Sequence, residues 1–140
     1  MNNIQKQNQK KKRKGFTLIE LIIVLAVMAI IAAIAIPNFA AVRDSSKKKA
    51  DTQSCQTIDR TVLTLVADET VKISKEANVI VKFKADKSFD STSTTVPAEV
   101  TAGGDELKDA LKEVKAPQES GKTTYKITIG TDGTVKTIAE

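Results

Sequence analysis

Few side chains in this sequence are equipped for chemistry. It holds one cysteine, Cys55, and no histidine, so it has no disulfide within the chain and lacks the commonest general base and metal ligand. Carboxylates remain, and one of them is out of place. Glu20 stands near the start of an apolar run from Phe16 to Ile36 in which Thr17 is the only other polar residue. A carboxylate in such a setting is costly unless a cation meets it. The chemistry to expect of Glu20 is therefore ion pairing.

A second acidic motif is Gly103–Leu107, GGDEL, which is similar to the active-site signature of diguanylate cyclases. Such an enzyme needs a nucleotide-binding α/β domain around the motif. Only 33 residues follow Leu107, and no phosphate-cradling loop precedes it. The other reading is that Gly103 and Gly104 break the chain and Asp105 opens a short helix near the positive end of its dipole. No enzymatic activity, metal or cofactor is expected.

The elements that must position Glu20 are legible from hydropathy. Phe16 to Ile36 is twenty-one residues, about 31 Å as a helix and close to the roughly 30 Å of a bilayer's hydrocarbon core. Residues 1–15 carry Lys6, Lys10, Lys11, Lys12, Arg13 and Lys14 with no acid, which predicts a basic tail held in the cytoplasm. An ordinary signal peptide with an A-x-A-like site at Ala33–Ala35 is the alternative. Without the six leader charges the chain has 16 Lys and Arg against 17 Asp and Glu, a net of −1. General basicity thus gives no support to nucleic-acid binding.

Beyond Pro37, the stretch to Ala67 lacks Gly and Pro, and Cys55, Ile58, Val62, Leu65 and Val66 recur at helical spacing. One helix is predicted from about 16 to 67, bent or weakened at Pro37, which cannot bond the Ala33 carbonyl. Its second half is amphipathic, and Cys55 is expected to fill core. Lys47–Lys49 is read as a solvated helix face in preference to a contact with lipid headgroups or DNA.

Val79, Val81 and Phe83 alternate with Ile80, Lys82 and Lys84, predicting a strand that pairs with 71–74 as a hairpin. Tyr125, Ile127 and Ile129, a Gly130–Gly133 loop and Val135 predict a second hairpin. The Ser/Thr-rich stretch from Lys87 to Gly104 reads as an exposed loop, with a short helix following at about 105–114. The fold class is α+β.

The basic leader, Gly15, Phe16, Glu20 four residues on, the unbroken apolar run, Pro37 and the amphipathic continuation together closely resemble the type IV prepilin signature. The resemblance implies a leader, residues 1–15, cut by a prepilin peptidase between Gly15 and Phe16, and N-methylation of Phe16. It implies a membrane and filament-core helix at 16–36 and a globular pilin domain at 37–140. The expected function is the structural subunit of a surface pilus, a homopolymer for adhesion, motility or aggregation. A pseudopilin of a secretion or DNA-uptake system shares these features.

The implied partners are copies of itself, the peptidase, an assembly ATPase acting through a membrane platform protein, and minor pilins. Before assembly the precursor would sit in the cell membrane. In this setting Glu20 would pair with the Phe16 amine of a neighbouring subunit and fix its register, and the helix around Pro37 would loosen during assembly. Many members close their C-terminal region with a disulfide, from which this chain departs.

Overall fold

The computed structural model describes residues 15–140. The tail expected at Lys6–Lys14 lies outside the described residues. Two compact units divide between Ala40 and Ala41.

The first unit is helical. Helix α1 runs Leu18–Ala67 without a break at Pro37, and it begins two residues later than the apolar run does. Thr17 is the reason, because its carbonyl accepts the first helical bond from Leu21 while its side chain caps the turn. An N-cap residue lies outside the helix it starts. The apolar side chains here are exposed throughout, from Phe16 at 85% to Ile36 at 69%.

In the second unit, α1 contributes one buried face. Asp51, Ile58 and Val62 are buried on it, and Cys55, Leu65 and Val66 pack against the same core. The face they cover is a three-stranded antiparallel sheet of β2 (Ala77–Lys82), β4 (Thr124–Ile129) and β5 (Val135–Ala139), in the order β2-β4-β5. Its inward residues alternate as a half-buried sheet requires: Ala77, Val79 and Val81 on β2, and Tyr125, Ile127 and Ile129 on β4. The register sets Val79 opposite Ile127 and Val81 opposite Tyr125. The β4–β5 hairpin forms as expected, its loop closed by a Gly130 N–H to Thr134 carbonyl bond of 2.8 Å.

The first predicted hairpin does not form. Strand β1 (Lys72–Ile73) pairs with β3 (Val100–Ala102), not with β2. Both edges of β2 are taken, one by β4 and the other by Thr95, which exchanges two backbone bonds with Ile80 at 2.9 and 3.1 Å. No edge remains for β1.

The same contacts overturn the reading of 87–104 as a plain exposed loop. Thr94 is 3% exposed, and its hydroxyl oxygen accepts the Lys82 N–H at 3.2 Å. Unpaired strand amides must find acceptors, and a threonine hydroxyl serves here without leaving any periodic trace in the sequence.

The short helix α2 spans Gly104–Ala110, four residues shorter at its end than the predicted 105–114. The chain then tightens into turns with i to i+3 bonds, Lys112 to Asp109 and Val114 to Leu111, a common way for a helix to end. Leu107 and Leu111 still reach the core, with Val114 packed beside them.

Candidate functional site

The helix start is built by two side chains. The Thr17 N–H and hydroxyl both donate to Glu20 Oε2 at 2.8 Å, and the Glu20 N–H donates to Thr17 Oγ1 at 3.3 Å. This is a reciprocal capping box, in which two backbone donors that the helix cannot satisfy are satisfied by side chains. Its sequence signal is Thr17-x-x-Glu20, a local pattern that the ion-pairing argument for Glu20 does not use. Oε1 of Glu20 takes no hydrogen bond among the described residues, so one carboxylate oxygen holds the helix start and the other stays open to solvent or a partner.

Gly15 and Phe16 lie just ahead of that cap and outside any helix, with both residues exposed. Among the described residues, and apart from its chain neighbours, no heavy atom lies within 4 Å of where a Gly15 Cβ would stand. The peptide bond between them is therefore accessible, and the structure brings it within one turn of Glu20. Pro37 lies nearly five turns further along α1, apart from this constellation.

A second polar group was not foreseen. Asp51, 4% exposed, accepts the backbone N–H of Gln118 on Oδ1 at 2.7 Å and that of Glu119 on Oδ2 at 2.8 Å. It ties α1 to a segment nearly half the chain away. Lys48 adds a looser ion pair to Glu119 at 3.8 Å. The signal was the apolar stripe itself, because one helical turn back from Cys55 lies Asp51.

Cys55 is half-buried. Burial pushes its thiol pKa up, with Asp59 and Asp51 adding to the effect, so it is held in the unreactive protonated form. Burial likewise pushes Tyr125 up to about 12, and Ser54 lies close enough to ease that shift yet outside hydrogen-bonding geometry.

The GGDEL stretch has a structural account. Gly103 caps α2 in the left-handed region at φ 77°, where a Cβ would run into the Thr70 carbonyl. Only glycine fits there. Asp105 and Glu106 occupy the first turn of α2 as dipole partners. No cluster of His, Cys, Asp or Glu able to hold a metal occurs among the described residues.

Residues 10–36 match the prokaryotic N-terminal methylation motif. The chain is 34% identical over 132 residues to a Clostridium perfringens protein named prepilin peptidase-dependent protein A, covering 94% of this chain and 90% of that one. No solved structure matches. Both similarities point to a structural role, and with the apolar N-terminal helix they fit a membrane-anchored precursor. A methylation motif on a capped apolar helix, followed by a helix-backed antiparallel sheet and matched along nearly the whole chain, makes this a member of the type IV pilin-like proteins.

Proposed function

We propose that this chain is the structural subunit of a type IV pilus, polymerising through its N-terminal helix into a surface filament. The observation that carries the reading is the accessible Gly15–Phe16 bond set directly ahead of a capped apolar helix whose side chains are unburied. Such a helix needs a bilayer before assembly and neighbouring copies after it.

On this reading a prepilin peptidase removes residues 1–15, and methylation follows on the new Phe16 amine. That amine is cationic at neutral pH, with a reference pKa near 7.7–8.0, and it seeks the open Oε1 of Glu20 on a neighbouring subunit. The pair fixes register, and the apolar helices at 16–36 supply the cohesion. Pro37 leaves the Ala33 carbonyl without its helical donor, a place where the helix loosens as subunits leave the membrane. The assembly ATPase, its platform protein and minor pilins complete the machine, and residues 37–140 coat the filament.

Electron microscopy of cells with and without the gene tests the proposal. Surface filaments that vanish on deletion and return on complementation support it. Short envelope-spanning assemblies in their place would identify a pseudopilin.

A further inference from the structure

The chain outside the leader is nearly neutral, yet its lysines are not evenly spread. Strands β2, β4 and β5 contain no acidic residue. The residues that alternate with the buried core positions share the sheet's outer face, and a Thr128 hydroxyl to Asn78 Oδ1 bond of 2.9 Å crosses it. On that face lie Lys82, Lys126 and Lys136, with Lys126 between Ile80 and Ile138 in register.

At the end of the sheet where Lys82 pairs with Thr124 there is a cleft of about 300 Å³, bounded by Lys84, Lys87 and Lys122 and walled by Phe83 and Pro117. No acidic residue lines it. None of these six lysines is ion-paired among the described residues.

Two nearby acids offset this charge only in part. Asp86 and Asp90 both feel Lys84 and are held ionised, Asp86 Oδ1 by the Ser88 N–H and hydroxyl and Asp90 Oδ1 by the Thr92 and Ser93 N–H groups, so two carboxylates stand against six lysines. Glu140, tied to Thr124 through the backbone, is the acid at that corner. Lys87 has φ 64°, a conformation that costs a non-glycine residue energy and tends to persist at functional positions. The 84–88 turn holds it there through Lys84–Ser88 and Lys87–Lys84 backbone bonds of 2.9 Å each. The Pro117 wall is likewise fixed, since Asp51 clamps the two residues that follow it.

We propose that this face and its cleft bind an acidic polysaccharide, a linear chain of carboxylate-bearing sugar rings. The lysines of neighbouring strands are offset diagonally, Lys82 facing Thr124, Lys126 facing Ile80 and Ile138, and Lys136 facing Thr128, so a polyanion crossing the strands meets one cation on each in turn. The cleft is large enough for one ring, with Phe83 offering an apolar wall. A single-stranded nucleic acid would call for a succession of aromatic platforms, and the outer face offers Ile80, Ile138 and threonines instead. The site lies wholly within residues 41–140 and does not depend on polymerisation, so its failure leaves the proposed function standing.

The test uses the full-length chain in non-ionic detergent, with the six leader Lys and Arg replaced by Gln in every sample. Binding to immobilised polygalacturonate is compared with neutral dextran and duplex DNA. Polygalacturonate should be retained and dextran not. The triple variant Lys84→Gln, Lys87→Gln, Lys122→Gln should weaken retention at least tenfold. The charge-matched triple Lys108→Gln, Lys112→Gln, Lys115→Gln should leave it unchanged, and circular dichroism melts of both should match the parent. Phe83→Leu should also weaken binding. Equal loss in the two triples, or DNA retained as tightly with the same lysine dependence, would reduce the effect to general charge attraction and overturn the proposal. Absence of retention would overturn it as well.

Discussion

Thr17 and Glu20 hold one another at the start of α1, the threonine donating twice to a single carboxylate oxygen and accepting the glutamate's own N–H. Glu20 thus has a local structural role before any neighbour arrives. Its local role and its proposed role in assembly can be separated by mutation, because a glutamine also completes a capping box.

Glu20→Gln should keep the cap and lose only the charge. Insertion into the membrane should become easier, and cleavage at Gly15 should be little changed. Filament yield should fall about tenfold or more, because an incoming Phe16 amine would be buried without a counter-charge. Sheared-filament yield and precursor processing, measured side by side, decide the matter. Full filament yield would leave Glu20 as a capping residue alone.

Thr17→Val is the converse variant. It removes the hydroxyl but spares the carboxylate, weakening the helix start by about 1 kcal/mol. Assembly should persist, and Thr17→Ser should restore the cap. If Thr17→Val abolishes filaments as completely as Glu20→Gln, then the cap and not the charge is what assembly requires.

Processing is read by mass spectrometry of the mature chain. It should begin at N-methyl-Phe16, and a bulky residue at Gly15 should leave a full-length membrane precursor. An N-terminus at Ile36 would point to an ordinary signal peptide.

Residues 41–140 contain all of the buried core and should fold without the apolar helix as a soluble monomer. Asp51→Ala in this fragment should cost about 1–3 kcal/mol, since it removes a buried carboxylate that holds two part-buried backbone N–H groups. Asp51→Asn, which keeps one acceptor, should cost less. Urea melts followed by circular dichroism give both values. Aggregation of the parent fragment would mean that the α1 face is not covered as described.

Tyr125 gives a pH dependence. Its folded pKa is raised to about 12 from an ordinary 10.0, so between those values the folded chain keeps a proton that the unfolded chain releases. Stability should therefore be intact below about pH 10 and decline as pH rises toward 12. Tyr125→Phe should flatten that decline. It should also raise stability at neutral pH by about 1 kcal/mol, because the buried hydroxyl has no hydrogen-bond partner among the described residues. Melting temperatures of the two proteins across pH 8–11 check both statements.

Whatever depends on neighbours in sequence was legible without the structure. Twenty-one nearly uninterrupted apolar residues specify a span, the Gly15–Phe16–Glu20 spacing marks the family, and strict alternation in 124–129 and after Gly133 gives the second hairpin. The capping box was equally local and required only that Thr17 and Glu20 be read together.

Tertiary structure alone decided the remainder. Asp51 finds its donors 67 and 68 residues away, β1 turns to β3 because both edges of β2 are occupied, and Thr94 is buried to satisfy an edge amide. The lysine face is the sharpest case, because a net charge of −1 is a sum with no location. A pleated strand sends alternate side chains to opposite faces, and pairing β2, β4 and β5 in this register gathers the lysines of three separated segments onto one of them. Local periodicity can fix an element and its buried side, but only the competition of all segments for a limited number of strand edges and one core fixes which surfaces come together.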